Sequence, residues 1–188
     1  MAKLSTKNRI VNVADDMFYQ RGFAQTSFAD IAENVGISRG NFYHHFKSKD
    51  DILQAVIILR RDRTALMLEE WENEGLDPRA RIERFIHILI MNRAKISRYG
   101  CPIGSLCTEL AKLEHAAQEE ANTLFDLFRN WLRKQFERLG QDERADDLAM
   151  QLLARSQGAA TLAQAFRDEG FLDQEAVRMC DWLDRTLS

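Results

Sequence analysis

The scarcity of helix breakers constrains this chain more than any other feature. Two Pro and nine Gly in 188 residues are about half the average usage, and they leave little room for hairpin turns. The residues standing in their place are helix formers: Leu and Ala number 21 each, against five Val. Straight-chain residues lose little freedom in a helix, whereas strands select β-branched ones. An all-α fold is the expectation. A composition 45% hydrophobic and 29% charged is that of a globular protein and excludes a disordered one. The longest aliphatic run, Ala55 to Leu59, falls far short of the roughly 20 residues that cross a bilayer, so no membrane partner is expected. Three widely spaced Cys, behind a Met1-Ala2-Lys3 start that lacks the marks of a signal peptide, point to a reducing cytoplasm.

The net charge of -3 conceals an asymmetry. Residues up to Lys49 hold seven Lys/Arg and four Asp/Glu, a net +3, while the remainder holds 19 and 25, a net -6. A basic amino-terminal module on an acidic body is the pattern of a nucleic-acid binder with a separate control domain.

Apolar spacing then divides the chain into about nine helices. Ile10, Val13, Ala14, Met17 and Phe18 form one stripe that Gly22 ends. Thr26 or Ser27 caps a short second helix with Phe28, Ile31, Ala32 and Val35 inward, and Asp30 completes a capping box with Ser27. Gly36 breaks it, and Ser38 caps a third helix, about Arg39 to Phe46, that faces the core with Phe42 and Phe46. Two short helices about a tight Gly turn make a helix-turn-helix. A long fourth helix from Ser48 to about Trp71 links this module, residues 1–47, to a second domain, residues 48–188. There Asp77-Pro78 opens a fifth helix, apolar nearly all round from Phe85 to Met91, and Gly100 closes it or the loop after it. Pro102 starts a sixth helix, Ala116 to Leu139 is the seventh, Glu143 to Arg167 the eighth with Gly170 closing it, and Gln174 to Leu187 the ninth.

The stretch GFAQTSFADIAENVGISRGNFYHHFKSKDDIL, Gly22 to Leu53, resembles the DNA-binding region of the TetR family of one-component transcriptional regulators. That resemblance covers about the first 55 residues and implies a helical effector-binding and dimerisation domain in the rest. The residues not needed for the core suit DNA. Arg39 and Asn41 lie on the first turn of the recognition helix after Ser38, where Arg can bond guanine and Asn adenine. Gly40 between them lets the backbone approach the groove. Tyr43, His45 and Lys49 match family positions that contact phosphates, His44 is solvated or faces phosphate, and Thr26 and Ser27 offer a phosphate site at a helix N-terminus. Adjacent His44 and His45 point about 100 degrees apart, which disfavours a metal site. No cofactor is expected. The alternative of a helical enzyme or ligand carrier lacks paired Glu-x-x-His motifs, a nucleophile elbow and a phosphate loop.

GCPIGSLCTELAKLE, Gly100 to Glu114, together with QGAATLAQAFRD, resembles the family branch of flavonoid- and drug-responsive repressors. A small apolar or aromatic effector is expected among Phe85, Leu89, Cys101, Leu106, Leu110, Phe128, Trp131 and Gln157. Cys101, before Pro102 at a helix start and near Arg98, raises the alternative of an electrophile or redox sensor, against plain packing of Cys101 and Cys107. In the eighth helix Leu148, Leu152, Arg155, Ala159, Leu162 and Phe166 recur at spacings of 4 and 3, and Cys180, Leu183 and Leu187 continue the seam in the ninth. This seam, with small Gly158 beside it, is the expected homodimer interface; facing the seventh helix of its own chain is the alternative. The whole reads as a dimeric repressor of double-stranded operator DNA, released by a small-molecule effector.

Overall fold

Ser5, Asp77 and Asp168, each a short polar side chain accepting the amide three residues on, show how the helices of this chain begin. The computed structural model describes residues 5–188, apart from the side chain of Arg39; the Met1-Ala2-Lys3 start lies outside them. Ten α-helices make up nearly all of it: α1 (Thr6–Arg21), α2 (Phe28–Val35), α3 (Arg39–His45), α4 (Lys49–Asn73), α5 (Pro78–Met91), α6 (Arg93–Tyr99), α7 (Pro102–Lys112), α8 (Gln118–Arg138), α9 (Ala145–Phe166) and α10 (Glu169–Leu187). A single 3-10 turn, Asp142–Arg144, precedes α9, and no strand occurs among the described residues. The all-α expectation therefore holds.

Two expected boundaries move. The fifth helix divides at Asn92, whose side-chain amide donates to Ile88 O at 2.9 Å and competes with the helical ladder, so α5 and α6 are separate. Gly170 does not close α9. Arg167 does, in the left-handed region at φ 55, while its guanidinium donates to the carbonyls of Ser97 and Arg98 at the end of α6. Gly170 lies instead in the first turn of α10, which Asp168 caps and which begins five residues before the expected start.

The chain divides into two compact units. The first comprises residues up to Arg63 and also Ser105–Leu124; the second comprises Thr64–Gly104 and Phe125–Ser188. This differs from the expected division after residue 47, because α4, α7 and α8 each contribute to both units. In the first, Ile10, Ala14 and Phe18 of α1, Ile31 and Val35 of α2, Phe42 of α3 and Ile52, Leu53 and Val56 of α4 are buried. One ion cluster ties α4 to α1: Asp15 accepts Arg60 Nε at 2.6 Å and Arg63 at 3.1 Å, and Arg63 also reaches Asn12 Oδ1 at 2.6 Å. Arg60 is 8% exposed, so this pair is held where screening is weak.

In the second unit α5, α8, α9 and α10 enclose a core that includes Ile82, Phe85, Phe128, Leu132, Phe136, Leu152, Ala160 and Met179. Four members of the expected dimer seam, Leu148, Leu152, Ala159 and Leu183, belong to this core and are at most 4% exposed. At these four positions the spacing reports packing within the chain, so they are withdrawn from an interchain surface, whereas Arg155, Leu162 and Phe166 of the same stripe are exposed.

Asp15→Ala is expected to lower unfolding stability by about 3 kcal/mol, because it strips a paired carboxylate from the nearly buried Arg60. Urea unfolding followed by circular dichroism checks it; an unchanged midpoint would show the cluster to be inert.

Candidate nucleic-acid interface

The turn between α2 and α3 is built from local chemistry. Gly36 takes the left-handed conformation, φ 71 and ψ 41, and its amide donates back to Ala32 O and Glu33 O, stopping α2. From outside the turn Arg9 of α1 donates to Val35 O at 2.8 Å. Ser38 then caps α3, its hydroxyl accepting Asn41 N at 3.3 Å. With Phe42 and Phe46 buried, geometry leaves Ser38, Gly40, Asn41, Tyr43 and His44 exposed and His45 half-buried. These are the residues the sequence assigned to DNA; Arg39 shares their helix, its side chain lying outside the described set. A Cβ built on Gly40 meets nothing within 4 Å, so the backbone there is open to close approach. Tyr43 is steadied against Phe28, with ring centroids 4.9 Å apart.

Two assigned residues are placed differently. Thr26 is 1% exposed, and its hydroxyl donates to Gly22 O at 2.8 Å. It closes the α1–α2 turn and has no hydroxyl to offer a phosphate. Lys49 sends its ammonium to Phe23 O at 2.9 Å and lies 4.1 Å from the Phe23 ring centroid, so it clamps the module from within. Ser27 stays exposed, but its amide donates to Asp30 Oδ2 and its hydroxyl accepts Asp30 N. The expected capping box is present, and it uses amides that were expected to face phosphate.

Sequence reading missed Glu109, whose carboxylate accepts Phe23 N and Ala24 N, and His115, whose ring lies 5.1 Å from that of Phe23. No local pattern marks either; only the fold joins residues 105–124 to the first unit. Asp51 was likewise unforeseen. Its Oδ2 accepts the amides of Lys47 and Ser48, both at 3.0 Å, which fixes the start of α4.

The expected effector residues fall in both units. Leu106 and Leu110 are buried in the first. In the second, Phe85 and Phe128 pair at 5.5 Å, Trp131 meets Trp71 edge-on at 5.6 Å, and Leu89 is buried with them. The Trp131 indole N–H is buried and has no acceptor among the described residues. Gln157 packs on Gly104, where a built Cβ would come 2.2 Å from Gln157 Oε1, so any larger residue there would have to displace the Gln157 amide. The Cys101 sulfur is half-buried and accepts Gly104 N at 3.5 Å, while the buried Cys107 thiol donates to Ala121 O. No three His, Cys, Asp or Glu side chains among the described residues are grouped to hold a metal ion.

A capped two-helix motif that buries one face of its second helix and exposes a polar one defines a helix-turn-helix DNA-binding protein. The chain belongs to the TetR family of bacterial regulatory proteins. The family model for "Bacterial regulatory proteins, tetR family" matches residues 10–56, and that for "Transcriptional regulator LmrA/YxaF-like, C-terminal domain" matches residues 78–177. Among relatives, an HTH-type transcriptional regulator of the lacX 3′ region in Lactococcus lactis subsp. lactis is 28% identical over 127 residues, 64% of this chain. The match spans 63% of that relative's length. The HTH-type transcriptional repressor DhaR of Mycobacterium sp. (strain GP1) is 26% identical over 93% of this chain and 90% of its own. A TetR transcriptional regulator from Legionella pneumophila superposes with a TM-score of 0.87, 28% identity and full coverage of both chains. This chain is thus a TetR-type helix-turn-helix transcriptional regulator.

The capping box carries a pH signature. The Ser27 hydroxyl and amide, bonded to Asp30, hold its carboxyl below the usual carboxylate range. A depressed folded value means that the cap is at full strength above about pH 4, the unfolded-state range, and is lost as pH falls through the lower folded value. In a carboxyl NMR titration Asp30 is expected to titrate below the unfolded-state value, and Ser27→Ala to move it back up.

Proposed function

We propose that this regulator is a homodimeric repressor of double-stranded operator DNA, released by a small apolar or aromatic effector. One observation carries the DNA half: the exposed face of α3 presents Ser38, Gly40, Asn41, Tyr43 and His44 on a module whose apolar face is buried. Asn41 and Arg39 read base edges, while Tyr43, His44 and His45 position the backbone. The name of the DhaR relative, a repressor, supports repression over activation.

The effector half is supported by the aromatic group of Trp71, Phe85, Phe128 and Trp131, where a buried indole N–H lacks an acceptor. Such a donor costs about 1–3 kcal/mol to leave unmade, and a ligand carbonyl or hydroxyl entering beside it would recover that cost. Kinship with flavonoid- and drug-responsive repressors is the sequence resemblance that accords with an aromatic effector. Release requires the effector to favour a dimer geometry that no longer matches two half-sites about 34–36 Å apart. The contacts of Cys101 favour packing over electrophile sensing, since its sulfur already accepts the Gly104 amide.

The dimer surface is the outward face of α9 next to the core seam. Met150, Ala154, Gly158, Leu162 and Phe166 recur every fourth residue, and all are exposed, Phe166 by 76%. A Cβ on Gly158 meets nothing within 4 Å, which leaves room for a second helix to approach. Val177 on α10 is exposed as well, and pairing such faces about a two-fold axis gives an isologous interface.

Arg39→Ala and Asn41→Ala are each expected to cost about 1–3 kcal/mol in binding a duplex selected from a random library, with base preference relaxed at one position per half-site. Untouched affinity and preference in both would sink this docking. The double change Gly158→Glu with Leu162→Arg is expected to give a helical monomer that binds the same duplex far more weakly. Sedimentation as an unchanged dimer would place the interface elsewhere.

A further inference from the structure

Phe23, in the turn between α1 and α2, is held at every group it possesses. Its amide donates to Glu109 Oε2 at 2.8 Å, and the next amide, Ala24 N, donates to Glu109 Oε1 at 2.9 Å. Its carbonyl accepts Lys49 Nζ at 2.9 Å and Thr26 N at 3.2 Å. Its ring stands edge-on to Phe18 at 5.3 Å and to His115 at 5.1 Å. Gly22 completes the fit: at φ 90 it occupies a conformation that favours glycine, and a Cβ there would lie 2.9 Å from the Glu109 carboxylate. The carboxylate therefore grips two consecutive peptide groups, with no side chain between them and it. Bonds to an ionised acceptor are roughly twice as strong as neutral ones.

This grip sits where it can set the pose of the DNA-reading helices. The turn runs directly into Thr26 and the Ser27 cap of α2, and α2 carries α3 through the Gly36 turn. Glu109 arrives on α7, a single helix whose first residues, Pro102–Gly104, belong to the second unit and whose remainder belongs to the first.

We propose that Glu109 is a positioning residue for DNA binding, a latch through which α7 holds the α1–α2 turn and so sets the affinity of the helix-turn-helix for its operator. The proposal rests on the DNA-binding reading above and adds a residue 85 positions from the motif it serves. A shift of α7 along or about its own axis then reaches the recognition module directly, through two hydrogen bonds.

The sign of one measurement separates this role from simple electrostatics. Removing a carboxylate from a protein that binds a polyanion should by itself tighten binding; loss of the latch should weaken it. The test compares wild type, Glu109→Gln and Glu109→Ala on a duplex selected by the wild-type protein from a random library, using fluorescence anisotropy over a range of salt. Glu109→Ala is expected to bind about tenfold more weakly, in the usual range for coupling between sites. Glu109→Gln, which keeps one acceptor oxygen, should fall in between. The slope of log affinity against log salt should stay unchanged, because no phosphate contact is lost. Amide hydrogen exchange at Phe23 and Ala24 should quicken while the middle of α1 stays protected. Equal or tighter binding by both variants overturns the proposal, as does a change in salt slope that accounts for the whole effect. If circular dichroism shows Glu109→Ala unfolded, Glu109→Gln decides on the same criteria. Should the wild type select no duplex, the DNA-binding reading fails, and the latch stands or falls on whether exchange at Phe23 and Ala24 quickens in Glu109→Gln.

Discussion

Burial of Phe42 and Phe46 on one side of a seven-residue helix is the constraint on which the DNA-binding unit depends. A helix this short has no stability of its own in water. It exists because two aromatic side chains are driven into a core shared with α1, α2 and α4, and because Ser38 and Phe46 terminate it at each end. Burying those rings decides which way the helix is rotated. Ser38, Gly40, Asn41, Tyr43 and His44 are thereby turned to solvent and become available to a partner.

The caps that frame this unit share a division of labour. Asp30 serves the Ser27 amide at the cap of α2, Asp51 the amides that open α4, and Glu109 those of the turn after α1. Three carboxylates are thus committed to backbone amides in a module that must approach polyanionic DNA. An anion bonded to amides is partly neutralised by them, so the module keeps its precision of shape at a smaller electrostatic cost. The Lys49 ammonium, drawn in toward Phe23, belongs to the same internal scheme.

In the second unit stability comes from apolar area. Small residues on α9, among them Ala159, Ala160 and Ala163, let its neighbours pack closely, and α10 closes over them with Leu172, Ala176, Met179 and Leu183. The Trp131 N–H, which meets no acceptor among the described residues, is buried among these apolar side chains. Arg167 shows another compromise: a non-glycine residue tolerates a left-handed backbone because its guanidinium gains the terminal carbonyls of α6.

Helix content, the capped ends at Ser27, Ser38 and Asp77, and the exposed face of α3 were legible in the sequence, because each follows from bonds and periodicities spanning a few residues. The same locality explains the errors. A 4-and-3 apolar stripe on α9 says that one face is covered, yet it cannot say by which chain, and Leu148, Leu152 and Ala159 proved to be covered by their own. Thr26 looked like a phosphate donor until the path of the turn brought Gly22 O within reach. By itself the sequence determined the helices, their order and the chemistry displayed on α3. Only the tertiary structure decided that residues 105–124 join the amino-terminal helices and that Glu109 meets Phe23 and Ala24, since contacts between distant segments depend on the packing of whole helices and leave no periodic trace in either segment.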